Sequence, residues 1–217
     1  MELSIIIVSW NTRQLLDGCL ASIYRESKNV NFEIFVVDNA STDGSSEMVA
    51  KKYPQVKLIK NKKNIGFAAA NNQAIKEALG KYIMILNSDT IILDGAPEKL
   101  LKIMEARPEA GILGAKTLNQ DGTIQKTVRR DPTLLTQLFF PSKMKALFPN
   151  WRPFKEYYFD DFNYEKEAFV PQPQGSFLLV KKKVFDKLGL FDEKFFIWFE
   201  EVDLCFRARQ AGYKILY

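Results

Sequence analysis

Residues 3–39 read LSIIIVSWNTRQLLDGCLASIYRESKNVNFEIFVVDN, and their order of patterns decides the fold. Leu3–Ser9 is a run of mostly β-branched side chains, suited to a strand covered on both faces. Residues 14–24 then place Leu15, Leu16, Cys19, Leu20 and Ile23 at helical spacing. Residues 32–37 return to a buried strand. Strand, helix, strand at this spacing builds a parallel pair through a right-handed crossover.

The same alternation extends outward to Lys116. It predicts a helix over 46–52, a strand over 56–60 and an Ala-rich helix over 67–79 that Gly80 closes. A strand over 82–86, a helix over 96–106 and, after the Arg107–Pro108 break, a strand over 111–116 follow. The expected class is α/β, with a Rossmann-like, mostly parallel mixed sheet flanked by helices. Beyond Lys116 the pattern loosens. Asn119–Gln120–Asp121–Gly122 looks like a hairpin turn within 118–124. Residues 131–164 combine Pro132, Pro141, Pro149 and Pro153 with many aromatics, among them Phe139, Phe140, Phe148, Trp151, Tyr157 and Tyr158. A long stretch without periodicity inside a compact domain points to function or to mobility. Regular structure resumes with a strand at 177–180, helices at 182–188 and 201–211, and a strand from Lys214. No repeat or linker divides the chain, so 1–217 is expected to be one domain.

Composition removes several kinds of chemistry. The chain of 217 residues has no histidine, which excludes His-based triads and HExxH zinc sites. Acid–base work falls to carboxylates, and a metal would be hard and oxygen-bound, Mg²⁺ or Mn²⁺. Cys19 and Cys205 suit a reducing compartment and small core positions. The net charge of +5 favours anionic ligands or an anionic membrane surface and is too weak to imply nucleic acid. No apolar run approaches the ~20 residues needed to cross a bilayer, and the start of the chain lacks a signal-peptide pattern. The expected location is cytoplasmic, with peripheral contact at the inner face of the cell membrane.

Ligands of open parallel sheets bind beyond the carboxyl ends of the strands. Here those ends carry Ser9–Trp10–Asn11, then Asp38 through Gly44 (DNASTDG), then Asn61 through Gly66 (NKKNIG), then Asn87–Ser88–Asp89–Thr90. Any one of these is ordinary turn chemistry. Four on one sheet edge are not. Asp89 can offer carboxylate oxygens to a divalent ion whose remaining ligands are substrate phosphates. A GxxxxGK[ST] loop and a GxGxxG turn are both missing, which disfavours P-loop kinases and Rossmann dehydrogenases.

VSWN (8–11), VVDNASTDGS (36–45), NIGFAAANNQAI (64–75), LNSDT (86–90), QGSFLLV (174–180) and FDEKFFIWFEEVDLCFRARQAGY (191–213) occur in that order. Together they resemble glycosyltransferase family 2, most closely its rhamnosyltransferase-like branch, which has the GT-A fold. The resemblance covers nearly the whole chain apart from residues 131–164. It implies a nucleotide-binding half over 1–116 and an acceptor-side half over 117–217. It also implies that Asp38 contacts the base or ribose of the donor, with Ser9, Asn11, Asn64 and Gly66 lining the same pocket. Asn71 and Asn72 lie further along the helix after Gly66, Asn72 either in the pocket or holding local structure.

Asn87–Ser88–Asp89 corresponds to the family's DxD motif in its NxD form, with Asp89 as the metal ligand. Gly175 and Ser176 match a small-residue turn beside donor sugar and acceptor. Glu201 takes the place of the catalytic base, with Glu200 as second choice, and Asp203 is expected to pair with Arg207 one turn on. The implied activity is inverting transfer of a sugar from a UDP- or dTDP-linked donor to a saccharide or lipid-linked acceptor in cell-surface polysaccharide synthesis.

The aromatics of 131–164, with Lys126, Arg129, Arg130, Lys143, Lys145, Arg152 and Lys155, would form the acceptor side or rest on anionic lipid. The competing function is a catalytically silent nucleotide- or glycan-binding module. A sugar-phosphate nucleotidyltransferase is disfavoured, because VSWNTRQ is not the Gly-rich basic loop those enzymes carry. Family members often continue past the last strand with a histidine that completes the metal site. A chain that stops at Tyr217 is therefore expected to be either a GT-A core cut at its C-terminus or a naturally short relative, in which donor binding is better preserved than full metal coordination and acceptor binding.

Overall fold

The computed structural model describes residues 1–139 and 151–217. Its main sheet has seven strands: β1 (Leu3–Ser9), β2 (Phe32–Asp38), β3 (Lys57–Lys60), β4 (Tyr82–Asn87), β5 (Ala110–Leu113), β8 (Phe177–Lys181) and β9 (Lys214–Leu216). Their order is β3-β2-β1-β4-β8-β5-β9. β8 is antiparallel to both its neighbours, and every other pairing is parallel. A two-stranded ribbon, β6 (Val128–Arg129) with β7 (Gln172–Pro173), stands apart from the sheet. The helices among the described residues are α1 (Arg13–Glu26), α2 (Ser45–Lys52), α3 (Phe67–Glu77), α4 (Ala96–Ala106), α5 (Leu134–Phe139), α6 (Arg152–Tyr158), α7 (Lys182–Leu188) and α8 (Glu200–Gln210).

Strand alternation sorts the side chains into two cores. Leu3, Ile5 and Ile7 join Ile34, Val36, Met84 and Leu86 on the face covered by α1, α2 and α4. Ile6, Phe35, Val37, Ile83 and Ile85 point the other way, onto α3, α7 and α8. Because both faces are dry, the central strands are apolar at nearly every position, the pattern that marks an interior strand. Each such aliphatic side chain contributes ~1.5–3 kcal/mol by leaving water. The free thiols of Cys19 and Cys205 pack one in each core.

Gly80 does something other than end a helix. α3 stops at Glu77, with Ala78 in an extended conformation as its cap. Gly80 instead passes over β1, where a Cβ would sit 2.5 Å from the Ser4 nitrogen. Its N–H donates to Ser4 Oγ at 2.8 Å, and Ser4 Oγ donates to Glu33 Oε1 at 2.6 Å. Burial alone would raise the Glu33 carboxyl, but hydrogen bonds from Lys57, Ser4 and Leu79 N–H hold it below its ordinary value.

The strand expected over 111–116 covers only Ala110–Leu113 and ends beside Pro173, whose Cβ would collide with a Cβ on Gly114. The turn at 119–122 closes an isolated antiparallel bridge between Leu118 and Ile124, as its sequence suggests. The aromatic stretch holds α6, whose Phe154 and Tyr157 are buried. Phe140, Pro141, Lys143, Lys145, Phe148 and Pro149, and the Phe139 side chain, fall outside the described residues.

Candidate functional site

Parallel register brings three strand ends level. Ser9 on β1 pairs with Asp38 on β2, and Val8 pairs with Asn87 on β4. Asp38 is 4% exposed, and its Oδ2 accepts from Ser46 Oγ at 2.7 Å. The Ser41 N–H, at 3.4 Å from each carboxylate oxygen, is a weaker contact. Hydroxyls then bridge the strands: Ser9 Oγ lies 2.9 Å from Thr12 Oγ1, which donates to Ser88 Oγ at 3.0 Å. Asn11, with a left-handed φ of 54°, donates its N–H to Ser41 Oγ, and its Oδ1 accepts from Thr42 N–H, both at 2.8 Å. The loops after β1 and β2 are thereby fastened into one rim. Asp43 strengthens it by accepting from the N–H groups of Arg13 and Ser45.

Asn64 and Gly66 organise the start of α3. Asn64 Oδ1 accepts from Gly66 N–H at 2.9 Å. Gly66 has φ 89°, and a Cβ there would meet the Phe196 carbonyl oxygen at 2.5 Å, so its close neighbour is the 190s loop. Phe67 N–H donates to that same carbonyl at 2.7 Å. Asn72 holds the loop from the next turn, donating to the Phe191 carbonyl at 2.9 Å and accepting from its N–H at 3.1 Å. Its role here is structural. Asn71 donates to the Phe67 carbonyl and leaves a buried Oδ1 unpartnered among the described residues. Gly66→Ala is expected to cost roughly 1–3 kcal/mol, because alanine disfavours φ 89° and its Cβ would collide with the Phe196 carbonyl. A melting curve showing no loss would mean the loop does not depend on this contact.

Asp89 differs from Asp38 and Asp43. It is exposed and makes no hydrogen bond or ion pair with the described residues. Asn87 N–H donates to the Ser176 carbonyl at 3.1 Å, which ties the end of β4 to the turn before β8. On the other side of that turn, Gly175 N–H donates to Glu201 Oε1 at 3.3 Å. A Cβ on Gly175 would lie 3.3 Å from the Glu201 carboxyl carbon, so this glycine makes room for the Glu201 side chain. One two-residue turn therefore links the NxD strand end to the glutamate pair.

Glu200 and Glu201 open α8 after two left-handed residues, Trp198 (φ 69°) and Phe199 (φ 72°). Such conformations cost ~1–2 kcal/mol each outside glycine. Strain of that kind concentrates where a side chain must be aimed. Burial, and then the neighbouring Glu201 charge, pushes the Glu200 carboxyl up to about 7. Burial also raises the Glu201 carboxyl, against backbone N–H groups at the helix start and from Gly175 that favour its charge. Both glutamates keep a buried Oε2 with no partner among the described residues. Asp203 pairs with Arg207 at 2.7 Å, the i, i+4 pairing expected from sequence.

Beside Glu201 lies a cavity of about 320 Å³, lined also by Arg129, Tyr158, Gln172 and Trp198. Of the basic residues singled out above, Arg129 stacks on Tyr158, Arg130 on Phe159, Arg152 pairs with Glu156 and Lys126 lies 3.7 Å from Asp160. Sequence reasoning passed over Thr12 and Ser46, although both flank chosen motifs, and over Gln172, which no motif marks. No group of three or more His, Cys, Asp or Glu side chains gathers among the described residues.

Comparison with known proteins agrees with this architecture. The sequence model of "Glycosyl transferase family 2" matches residues 4–189. The N-acetylglucosaminyl-diphospho-decaprenol L-rhamnosyltransferase of Mycobacterium tuberculosis is 28% identical over 229 residues, covering 99% of this chain and 73% of that protein. Among solved structures, the mannosyltransferase PcManGT from Pyrobaculum calidifontis, in complex with GDP-Man and Mn²⁺, superposes with a TM-score of 0.65 at 19% identity. S. aureus TarS 1-349 in complex with UDP-GlcNAc gives 0.65 at 18%. This chain spans 53% and 55% of those two chains, and 99% and 100% of its own length is covered. At such identities the likeness shows the fold, which is of the GT-A type.

Proposed function

The chain belongs to glycosyl transferase family 2, and from that membership we propose that it moves a sugar, with inversion, from a nucleotide-diphosphate sugar to a saccharide or lipid-linked acceptor in cell-surface polysaccharide synthesis. The observation that carries this reading is the Gly175–Ser176 turn, which hydrogen-bonds to Asn87 on one side and Glu201 on the other. That link supports Glu201, half-buried, as the general base beside the strand ends that would hold the donor.

In this reading Asp38 accepts hydrogen bonds from the donor's base or ribose, with Ser9, Asn11 and Ser88 forming the pocket rim. Asn64 and Gly66 shape its far side by fixing the start of α3. Asp89 is free to hold Mg²⁺ or Mn²⁺, with Asn87 beside it and the donor diphosphate supplying further oxygens. When bound, that ion would neutralise charge developing on the leaving nucleoside diphosphate. Glu201 takes the proton from the acceptor hydroxyl as its oxygen attacks the anomeric carbon. Its raised carboxyl is a stronger base than an exposed glutamate. Glu200, buried behind it, keeps local negative charge in check while it holds a proton.

The donor is taken to be UDP- or dTDP-linked. The acceptor reading follows the Mycobacterium relative, whose name describes a lipid-linked N-acetylglucosaminyl diphosphate. Among the described residues no helix is long and apolar enough to cross a membrane. Exposed Phe196, Ile197 and Trp198, with the net charge of +5, support peripheral contact with an anionic inner membrane face.

A thermal-shift screen of UDP-, dTDP- and GDP-sugars with Mg²⁺ or Mn²⁺ tests donor binding. A ligand at a hundred times its Kd stabilises the folded state by about 2.7 kcal/mol. Binding accompanied by transfer or donor hydrolysis supports the enzyme. Binding with neither would favour the silent module, and no shift with any donor would count against the whole reading.

A further inference from the structure

The cavity beside Glu201 has a wall residue that the transfer reading leaves without a task. Gln172, on β7, is 2% exposed and lines this cavity together with Glu201. Its Nε2 donates to the Arg130 carbonyl at 2.9 Å. That bond fixes which end of the amide is oxygen, because a carbonyl can accept only from the NH₂ end. Gln172 Oε1 is left buried and without a donor among the described residues, as is Glu201 Oε2. Two unpartnered buried acceptors on residues that line one cavity are uncommon in native structures unless something supplies donors.

The basic group nearby does not supply them. Arg129 Nη1 donates to the carbonyls of Lys126 and Val128, and its guanidinium lies over the Tyr158 ring at 4.9 Å. The remaining walls include Tyr157, Tyr158 and Trp198. A fitting ligand must therefore offer at least two O–H donors on one side and an apolar face to the aromatic walls. A pyranose ring does both. A phosphate or diphosphate group presents acceptors to acceptors and meets the Glu201 carboxylate with like charge.

We propose that Gln172 is a specificity-determining residue for the acceptor, its Oε1 receiving a second hydroxyl of the sugar whose attacking hydroxyl lies at Glu201. This rests on the transfer reading and adds that the cavity takes the acceptor's sugar ring and excludes its diphosphate. The orientation it imposes would choose which hydroxyl reacts.

The test pairs Q172M with acceptor analogues. Transfer to an N-acetylglucosaminyl-diphospho-lipid, and to its monodeoxy and deoxyfluoro forms, is measured for both proteins, alongside donor hydrolysis without acceptor and melting temperature. Q172M is expected to lower kcat/KM for the acceptor by roughly 10- to 100-fold, with hydrolysis unchanged. One deoxy analogue, poor with the wild type, should lose nothing further in Q172M. Because the hydroxyl acts as a donor, its fluoro form should be as poor as its deoxy form. The wild-type series alone carries this point if Q172M does not fold. Additive penalties for every analogue, hydrolysis falling in step with transfer, or a wild type indifferent to every non-reacting hydroxyl would overturn the assignment. A wild type that neither hydrolyses donor nor transfers sugar overturns the transfer reading itself, and this inference with it.

Discussion

Glu201→Gln is expected to lower kcat for sugar transfer by roughly 10²–10⁴-fold, the usual contribution of a positioned general base, with the fold intact. The amide can keep the Gly175 hydrogen bond, since Glu201 accepts it through Oε1 alone. What it cannot do is take the acceptor's proton. The variant should also melt no lower than the wild type, because it removes a charge that burial disfavours. A folded E201Q protein with full transfer activity would remove Glu201 from the base role.

The pH dependence gives a second view of the same pair. Burial raises both carboxyls, Glu200 to about 7. A base works only when ionised, so transfer should climb with pH along an acid limb lying above the ordinary glutamate range. Stability runs the other way. A carboxyl raised in the folded state binds protons more tightly there than in the unfolded chain, so folding is favoured most below the unfolded value. That contribution is lost as pH rises from about 4.5 through about 7. In E201Q the neighbouring charge is gone, which leaves burial as the main cause raising Glu200. Its melting temperature should therefore fall less steeply over the same range. Identical slopes for the two proteins would show that the glutamates do not sense each other.

Much of this was legible because the signals are local. The unbroken apolar runs of β1, β2 and β4 and the helical spacing of Leu16, Cys19, Leu20 and Ile23 located the layers. The spans of α4 and α7 match their sequence expectation residue for residue. The polar strand ends were visible as well, since parallel register must bring Ser9, Asp38 and Asn87 level. What the sequence hides is contact between distant segments. Gly66 is needed because Phe196 presses on it, and Gly80 because it crosses Ser4. Neither neighbour can be inferred from local pattern. The ribbon of β6 and β7 has two residues per strand, too few for any period, and so Gln172 carried no signal. α6 has seven residues, short for a helix in isolation, and tertiary burial of Phe154 and Tyr157 supports it.

Asp89→Ala should separate binding from folding more cleanly than any other change at the donor edge. The carboxylate is exposed and tied to nothing among the described residues, so its removal is expected to change stability by less than about 0.5 kcal/mol. Transfer should nevertheless fall by on the order of 10²-fold or more, the scale of charge stabilisation a divalent ion provides. The Mg²⁺- or Mn²⁺-dependent part of the donor thermal shift should vanish with it. Asp38→Ala makes the contrasting case. That carboxylate is buried and holds Ser46 Oγ at 2.7 Å, so its loss leaves a hydroxyl unpaired and costs ~1–3 kcal/mol of stability along with donor affinity. The metal-dependent fraction of whatever shift survives should be retained. If D89A kept a full metal-dependent shift, the ion would have to be held elsewhere, and the NxD element would reduce to a turn that shapes the pocket. If D89A melted several degrees lower, its carboxylate would be a structural partner rather than a free ligand.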